Sequence, residues 1–297
     1  MKEQARMNGP AGPHSMSTLT DPLVIANPWH SLRRFTAARI ALGRAGISVP
    51  TAAQLQFRLD HARARDAVHL PFDTAAIRTA LEALQWPALT LHSAAADRRT
   101  YLQRPDLGRR LDDRSRAKLG SLHLEAGHGA ELPRYDLGFV IADGLSALAV
   151  HRHAVPLLAA LRPLLAAAPP WRIAPVAVVQ QARVAIGDEI GAALGADLVV
   201  VLIGERPGLS SPDSLGLYMS WKPRVGLNDA ERNCISNVRP EGLPPSAAAA
   251  QLYHLLGEAR RLRLTGVGLK DESPAAALDT AGKAGNFLLD GPTLSPG

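Results

Sequence analysis

The 297-residue chain has one cysteine, Cys234, and only 4% aromatic residues. A lone cysteine excludes an intrachain disulfide and any zinc or iron–sulfur site made from several thiolates. It suits a reducing cytoplasm. The scarcity of aromatics leaves the core to Leu, Val, Ile and Ala, and offers few platforms for stacking nucleic-acid bases. No apolar run approaches the roughly 18–20 residues that cross a bilayer, so no membrane span is expected. The first residues lack the basic and apolar segments of a secretory signal. A Walker phosphate loop, a dinucleotide fingerprint of three spaced glycines and a Gly-x-Ser-x-Gly elbow are all missing.

What is present is enough apolar material, 46%, for one large core or two smaller ones. The net charge is +6, which permits an anionic ligand, an acidic partner surface or nucleic acid. Arginines crowd the first 110 residues, among them Arg33, Arg34, Arg39, Arg44, Arg58, Arg63, Arg65, Arg98, Arg99, Arg104, Arg109 and Arg110. They read either as solvated helix faces or as a docking surface. Acids interrupt the basic runs, which counts against a nucleic-acid-binding module.

Residues 1–26 read as a disordered leader, and residues 27–130 as an N-terminal helical region. Within it, 29–45 is expected to be helical, with its end marked by Gly43 and Gly46. Thr51 is the expected cap of a second helix to about residue 66. Asp73 is the expected cap of a third, through Ile77, Leu81 and Leu84. A short extended piece at 88–92 follows, then a turn and a helix in "DLGRRLDDRSRAKL".

The pattern changes near residue 134. Apolar runs in "YDLGFVIADGLS", "WRIAPVAVVQQARV" and "ADLVVVLIGERPG" alternate with helical stretches, the first of which is expected to break or kink at Pro156. Such alternation predicts a doubly wound, mostly parallel sheet covered on both faces. The expected fold is therefore α/β, with residues 131–270 forming a Rossmann-like domain and 271–297 a loose tail.

In an open parallel sheet, ligands bind beyond the carboxyl ends of the strands. The segments emerging there are Asp143-Gly144, Arg183-Val184 and Glu205-Arg206-Pro207-Gly208. If "SLGLYMSW" is a further strand, Cys234 in "RNCISNVRPEG" sits in a polar loop of the next crossing, near the same rim. Asp143 either touches ligand or caps the helix from Leu145. His123, Glu125 and His128 miss the zinc-protease spacing, and His151 and His153, two apart, point to different helix faces. No metal site is expected.

The stretches "NPWHSLRRFTAARIALGRAG", "YLQRPDLGRRL", "VIADGLSALAV", "LIGERPGLSSPDSLGLY", "RNCISNVRPEG" and "LTGVGLKD" resemble the small (light) subunit of ethanolamine ammonia-lyase. The resemblance implies an adenosylcobalamin-dependent lyase converting ethanolamine to acetaldehyde and ammonia. It implies a TIM-barrel large subunit that carries the chemistry, and a higher hetero-oligomer of the two chains. Cobalamin would lie between them, with Val184, Glu205 and Cys234 as this chain's cofactor contacts and no catalytic residue here. Binding would be base-on, since no Asp-x-His-x-x-Gly stretch offers a replacement ligand. The resemblance places such enzymes in the cytoplasm, within a bacterial microcompartment. A stand-alone nucleotide-binding oxidoreductase is the alternative reading, and the missing glycine fingerprint is what separates the two.

Overall fold

The computed structural model describes residues 23–36, 38–125, 134–167 and 169–271, with 122–125 by backbone alone. The chain divides into two compact units, Met1–Asp60 and His61–Gly297. The expected leader falls almost wholly outside the described residues, as do His123, Glu125 and His128 as side chains and nearly all of the expected tail.

In the first unit, the sequence expectation of a helix over 29–45 is corrected. Asn27 caps a short 3-10 helix, Pro28–Arg34, by accepting the Trp29 N–H at 2.9 Å. Beyond it, Ala41, Gly43 and Gly46 take positive φ. They turn the chain so that Ile25 and Arg44 exchange two backbone hydrogen bonds, of 2.7 and 2.9 Å. A side chain at Gly43 would meet the Ile25 carbonyl at 2.6 Å, so glycine is what permits the bridge. Helix α1, Thr51–His69, starts where expected, although Thr51 is its first helical residue rather than its cap.

The second unit is built on a six-stranded sheet. Its strands are β1 (Ala88–His92), β2 (Tyr135–Ala142), β3 (Val176–Gln180), β4 (Ala196–Gly204), β5 (Leu215–Trp221) and β6 (Arg232–Val238). The order is β1-β3-β2-β4-β5-β6, parallel from β1 to β4 and antiparallel at β5 and β6. The fold is thus α/β with a mostly parallel sheet. The extended piece at 88–92 is an edge strand of that sheet.

Strands β2 and β4 are apolar at nearly every position because both their faces are covered. Leu137, Phe139 and Ile141 join one core cluster with Leu198, Val200 and Leu202. Val140 and Ala142 join the other with Val199, Val201 and Ile203. Helices α5 (Ala147–Leu165) and α7 (Pro245–Leu262) cover the first face, and α6 (Ile186–Ala193) covers part of the second. Three further helices complete the unit: α2 (Thr74–Ala83), α3 (Arg98–Gln103) and α4 (Asp113–Glu125). Asp73 caps α2 as expected, accepting the Ala76 N–H at 2.9 Å.

Helix α5 runs unbroken through Pro156 and Pro163, against the expected break. Both prolines face solvent. Ala154, Leu157, Leu158 and Leu161 bury the opposite side. Packing of that stripe holds the helix, and the carbonyls deprived of a donor lie on the wet face, where water satisfies them. Among the described residues, no helix is long and apolar enough to cross a membrane.

Candidate functional site

The three parallel strands β2, β3 and β4 deliver their turns to one edge of the sheet. Between β2 and β4, where the connections leave in opposite directions, the crevice is closed by backbone. Leu145 donates its N–H to the Gly204 carbonyl at 2.9 Å. A Cβ on Gly144 would sit 2.2 Å from that same oxygen, and one on Gly204 would sit 2.0 Å from the Ser146 carbonyl. These glycines serve close strand-to-turn packing, and no dinucleotide can enter between them.

Asp143 is buried and is not the cap of α5. Ser146 caps α5, accepting the Ala149 N–H at 3.2 Å. The Asp143 carboxylate instead accepts the Gln181 and Ala182 N–H groups, each at 3.0 Å, and lies 3.5 Å from the Arg98 guanidinium. It ties the turn after β2 to the turn after β3.

Beyond the closed crevice the sheet continues into β5 and β6. Cys234, expected in a polar loop, lies within β6, paired opposite Tyr218 of β5. The correction has a simple cause. In "RNCISNV" the apolar Ile235 and Val238 face the core, while Cys234 and Ser236 are exposed on the other side. The polar residues form one face of an edge strand, joined to β5 by a return connection and not by a crossover. The pairing shifts by one residue between Leu215 and Leu217, and Asn237 takes φ 57°. That bulge turns the Asn237 N–H toward the Glu205 carboxylate, at 3.3 Å.

Glu205 follows β4 directly. Its backbone N–H is held by the Ser214 carbonyl at 2.9 Å, and its carboxylate accepts the Ser214 hydroxyl. Gly216 leaves room for it, since a Cβ there would lie 2.8 Å from Glu205 Oε1 and 3.1 Å from the Tyr218 ring. Tyr218 and Cys234 are direct cross-strand neighbours, close enough for each to shift the other's titration. Burial pushes the Tyr218 hydroxyl up, and neighbouring Cys234 and Glu205 add to the rise. Although Cys234 is exposed as a residue, desolvation around its sulfur raises the thiol; neighbouring Tyr218 opposes this and the Glu205 carboxylate reinforces it. The thiol is therefore protonated at neutral pH, a soft contact atom and not a nucleophile.

Glu205 and Cys234 thus meet at Tyr218. Val184 lies on the same face of the sheet, half-buried in the turn into α6, and packs against the apolar cluster that Tyr218 also joins. Residues Gly216, Tyr218 and Asn237 escaped the sequence reading. The alternation in "SLGLYMSW" carried the signal, because it puts Gly216, Tyr218 and Ser220 on one face. Asn237 gave none, since the bulge exists only through strand pairing. Among the described residues, no group of three or more His, Cys, Asp and Glu side chains is placed to hold a metal ion.

The family model for the ethanolamine ammonia-lyase light chain (EutC) matches residues 26–270. The chain belongs to that family. Its similarity to curated relatives extends over nearly the whole chain. It is 60% identical over 264 residues to the ethanolamine ammonia-lyase small subunit of Azotobacter vinelandii, covering 89% of this chain and 96% of that one. It is 56% identical over 286 residues to that of Pseudomonas syringae pv. tomato, covering 94% and 98%. For Ralstonia nicotianae the figures are 58% over 271 residues, 91% and 97%. The stretches that bear the site, from the β2 turn through β6, all fall inside the matched region.

Proposed function

We propose that the chain is the small subunit of an adenosylcobalamin-dependent ethanolamine ammonia-lyase. In this reading it holds the base-on cofactor against a catalytic TIM-barrel large subunit. The observation that carries the reading is the meeting of Glu205 and Cys234 at Tyr218, on the strand face that exposes Cys234. A corrin is a broad apolar ring fringed with amides, and the residues suit both parts. Cys234 and Val184 offer soft and apolar contact, each Å² removed from water contributing roughly 25 cal/mol. Glu205, oriented by Ser214 and Asn237, is an acceptor for amide N–H groups, and a shielded carboxylate makes a stronger bond than a neutral oxygen does. When bound, the cofactor supplies the cobalt–carbon bond whose cleavage starts the reaction. This chain supplies position and exclusion of water, and no catalytic acid, base or nucleophile.

Docking of the large subunit falls, in the same reading, to the N-terminal region, including residues 23–59. There Leu23, Ile25, Trp29, Ile47 and Leu55 are exposed amid the arginines, a combination that fits an apolar partner surface with an acidic rim. Placement in a microcompartment belongs to the reading too.

The test uses the single cysteine. The assembled two-chain enzyme is treated with a maleimide, with and without bound cobalamin, and labelling of the Cys234 peptide is followed by mass spectrometry. Protection by cobalamin is expected. Equal labelling rates with the cofactor fully bound would remove Cys234 from its site. Separately, the isolated chain with adenosylcobalamin is expected to release no ammonia from ethanolamine.

A further inference from the structure

Val184 and Glu205 leave the sheet on different turns, the first after β3 and the second after β4. The turn after β3 is strained. Gln181, the first residue past the strand, takes φ 55°, a left-handed conformation that is costly for any residue with a Cβ. Two pins hold it there. Its carbonyl accepts the Ser93 hydroxyl at 2.7 Å, and its N–H, with that of Ala182, goes to the Asp143 carboxylate. Arg183 and Val184 follow at once, so the pinned turn sets where Val184 lies.

Asp143 belongs to the turn after β2, and that turn also grips the end of β4. Leu145 donates its N–H to the Gly204 carbonyl at 2.9 Å, and Glu205 is the next residue. Because no Cβ fits at Gly144 or Gly204, the two backbones meet without slack. The β2 turn is braced from behind by Arg98, which donates to the Gly144 and Val68 carbonyls, each at 2.7 Å. Its guanidinium also lies 3.5 Å from the Asp143 carboxylate. Asp143 itself is buried, so it acts on a ligand only through the turns it holds.

We propose that Asp143, braced by Arg98, is a positioning residue for the cofactor: it brackets the β3 and β4 turns so that Val184 and Glu205 keep a fixed spacing. The proposal rests on the function proposed above. A broad ligand that touches two turns binds more tightly when neither has to be ordered on binding. Releasing the bracket removes that advantage and leaves every contact side chain in the chain. The same strand supplies a control. Asp136, at the amino end of β2, is also buried, and it holds the Arg172 N–H at 2.9 Å and the guanidinium at 2.8 Å. It stands at the opposite end of the strand from the bracket.

Cyanocobalamin is titrated by absorbance into the assembled two-chain enzyme carrying Asp143→Asn, Asp136→Asn or Glu205→Ala. Hydrogen exchange of each unliganded enzyme is read peptide by peptide. In Asp143→Asn the affinity is expected to fall about tenfold, with faster exchange both at 181–183 and at 144–146. Asp136→Asn is expected to lower the thermal midpoint and to keep the affinity within about twofold of wild type. Equal losses of affinity in the two aspartate variants overturn the proposal, since they report general destabilisation. So does an unchanged affinity in Asp143→Asn when Glu205→Ala weakens binding. If Glu205→Ala leaves the affinity unchanged, the cofactor reading fails instead, and exchange alone decides the bracket. Acceleration confined to 181–183 then overturns it, and acceleration at both turns supports it. Should Asp143→Asn not fold, Ser93→Ala frees the Gln181 carbonyl alone and is expected to weaken cyanocobalamin about threefold; an unchanged affinity there overturns the proposal.

Discussion

Arg232 of β6 and Asp188 of α6 form a two-bonded ion pair with side-chain exposures of only 3% and 1%. Arg232 also donates to the Ser220 hydroxyl at 2.8 Å and the Leu227 carbonyl at 3.0 Å. The pair anchors the sheet's edge strand to the helix that follows Val184, and so fixes the two flanks of the candidate site relative to each other. Removing one partner leaves a buried charge alone. Arg232→Met is expected to lower the unfolding free energy by about 3–5 kcal/mol, and adding Asp188→Leu to recover most of it. Urea unfolding of the single and double variants reads both. A single variant within about 1 kcal/mol of wild type would contradict the burial.

The closed β2/β4 crevice makes a contrasting pair of glycine substitutions. Gly204→Ala drives a methyl into the Ser146 and Asp143 carbonyls and is expected to cost at least about 3 kcal/mol. Gly120, at an exposed position of α4, meets nothing within 4 Å, and Gly120→Ala is expected to stabilise by about 0.4–1 kcal/mol. Thermal midpoints moving in opposite directions are the check.

Gly216→Ala tests the site without touching a proposed contact. The added methyl would crowd Glu205 Oε1 and the Tyr218 ring, and swinging the carboxylate aside relieves it. Far-ultraviolet circular dichroism is expected to match wild type while cobalamin retention of the assembled enzyme falls about tenfold. Unchanged retention would detach Glu205 from the cofactor.

The Cys234 thiol is raised by partial desolvation of its sulfur, with the Glu205 carboxylate adding to the effect. Thiolate is the reactive form, so alkylation in the free chain is expected to be slow at pH 7 and to climb only in the alkaline range. Glu205→Gln removes a negative neighbour and should shift the rate profile to lower pH. A profile that stays put would mean that the carboxylate does not act on the thiol.

Acid stability follows from Asp213. Burial pushes its carboxyl up, but Arg152 at 2.8 Å and His153 at 3.4 Å outweigh it and hold it below the ordinary range. A lowered folded value gives stability that is present above the unfolded pKa of about 4 and is lost as pH falls through the folded one. Asp213→Asn is therefore expected to be less stable than wild type at pH 6, with the two curves converging only at a pH below the ordinary carboxylate range. Parallel curves down to that pH would exclude the linkage.

The alternation of apolar runs and helical stretches determined the α/β class, since a strand buried on both faces must be apolar throughout, as "FVIA" and "LVVVLI" are. The strand at 88–92 and the Asp73 cap were legible for the same local reason: each is written in a few adjacent residues. Val184, Glu205 and Cys234 were nominated by strand ends and family motifs. What the sequence did not determine depends on partners far along the chain. The polarity of "RNCISN" reads as a loop until pairing with "SLGLYMSW" turns alternate residues to opposite sides. Pro156 reads as a break or kink until a buried stripe of leucines carries α5 through it without a break. Asp143 reads as a cap until the β3 turn brings the Gln181 and Ala182 N–H groups to it. Local chemistry fixes which element forms, while register, bulges and ion pairs between distant elements are settled only when the sheet assembles, and those decide which side chains meet.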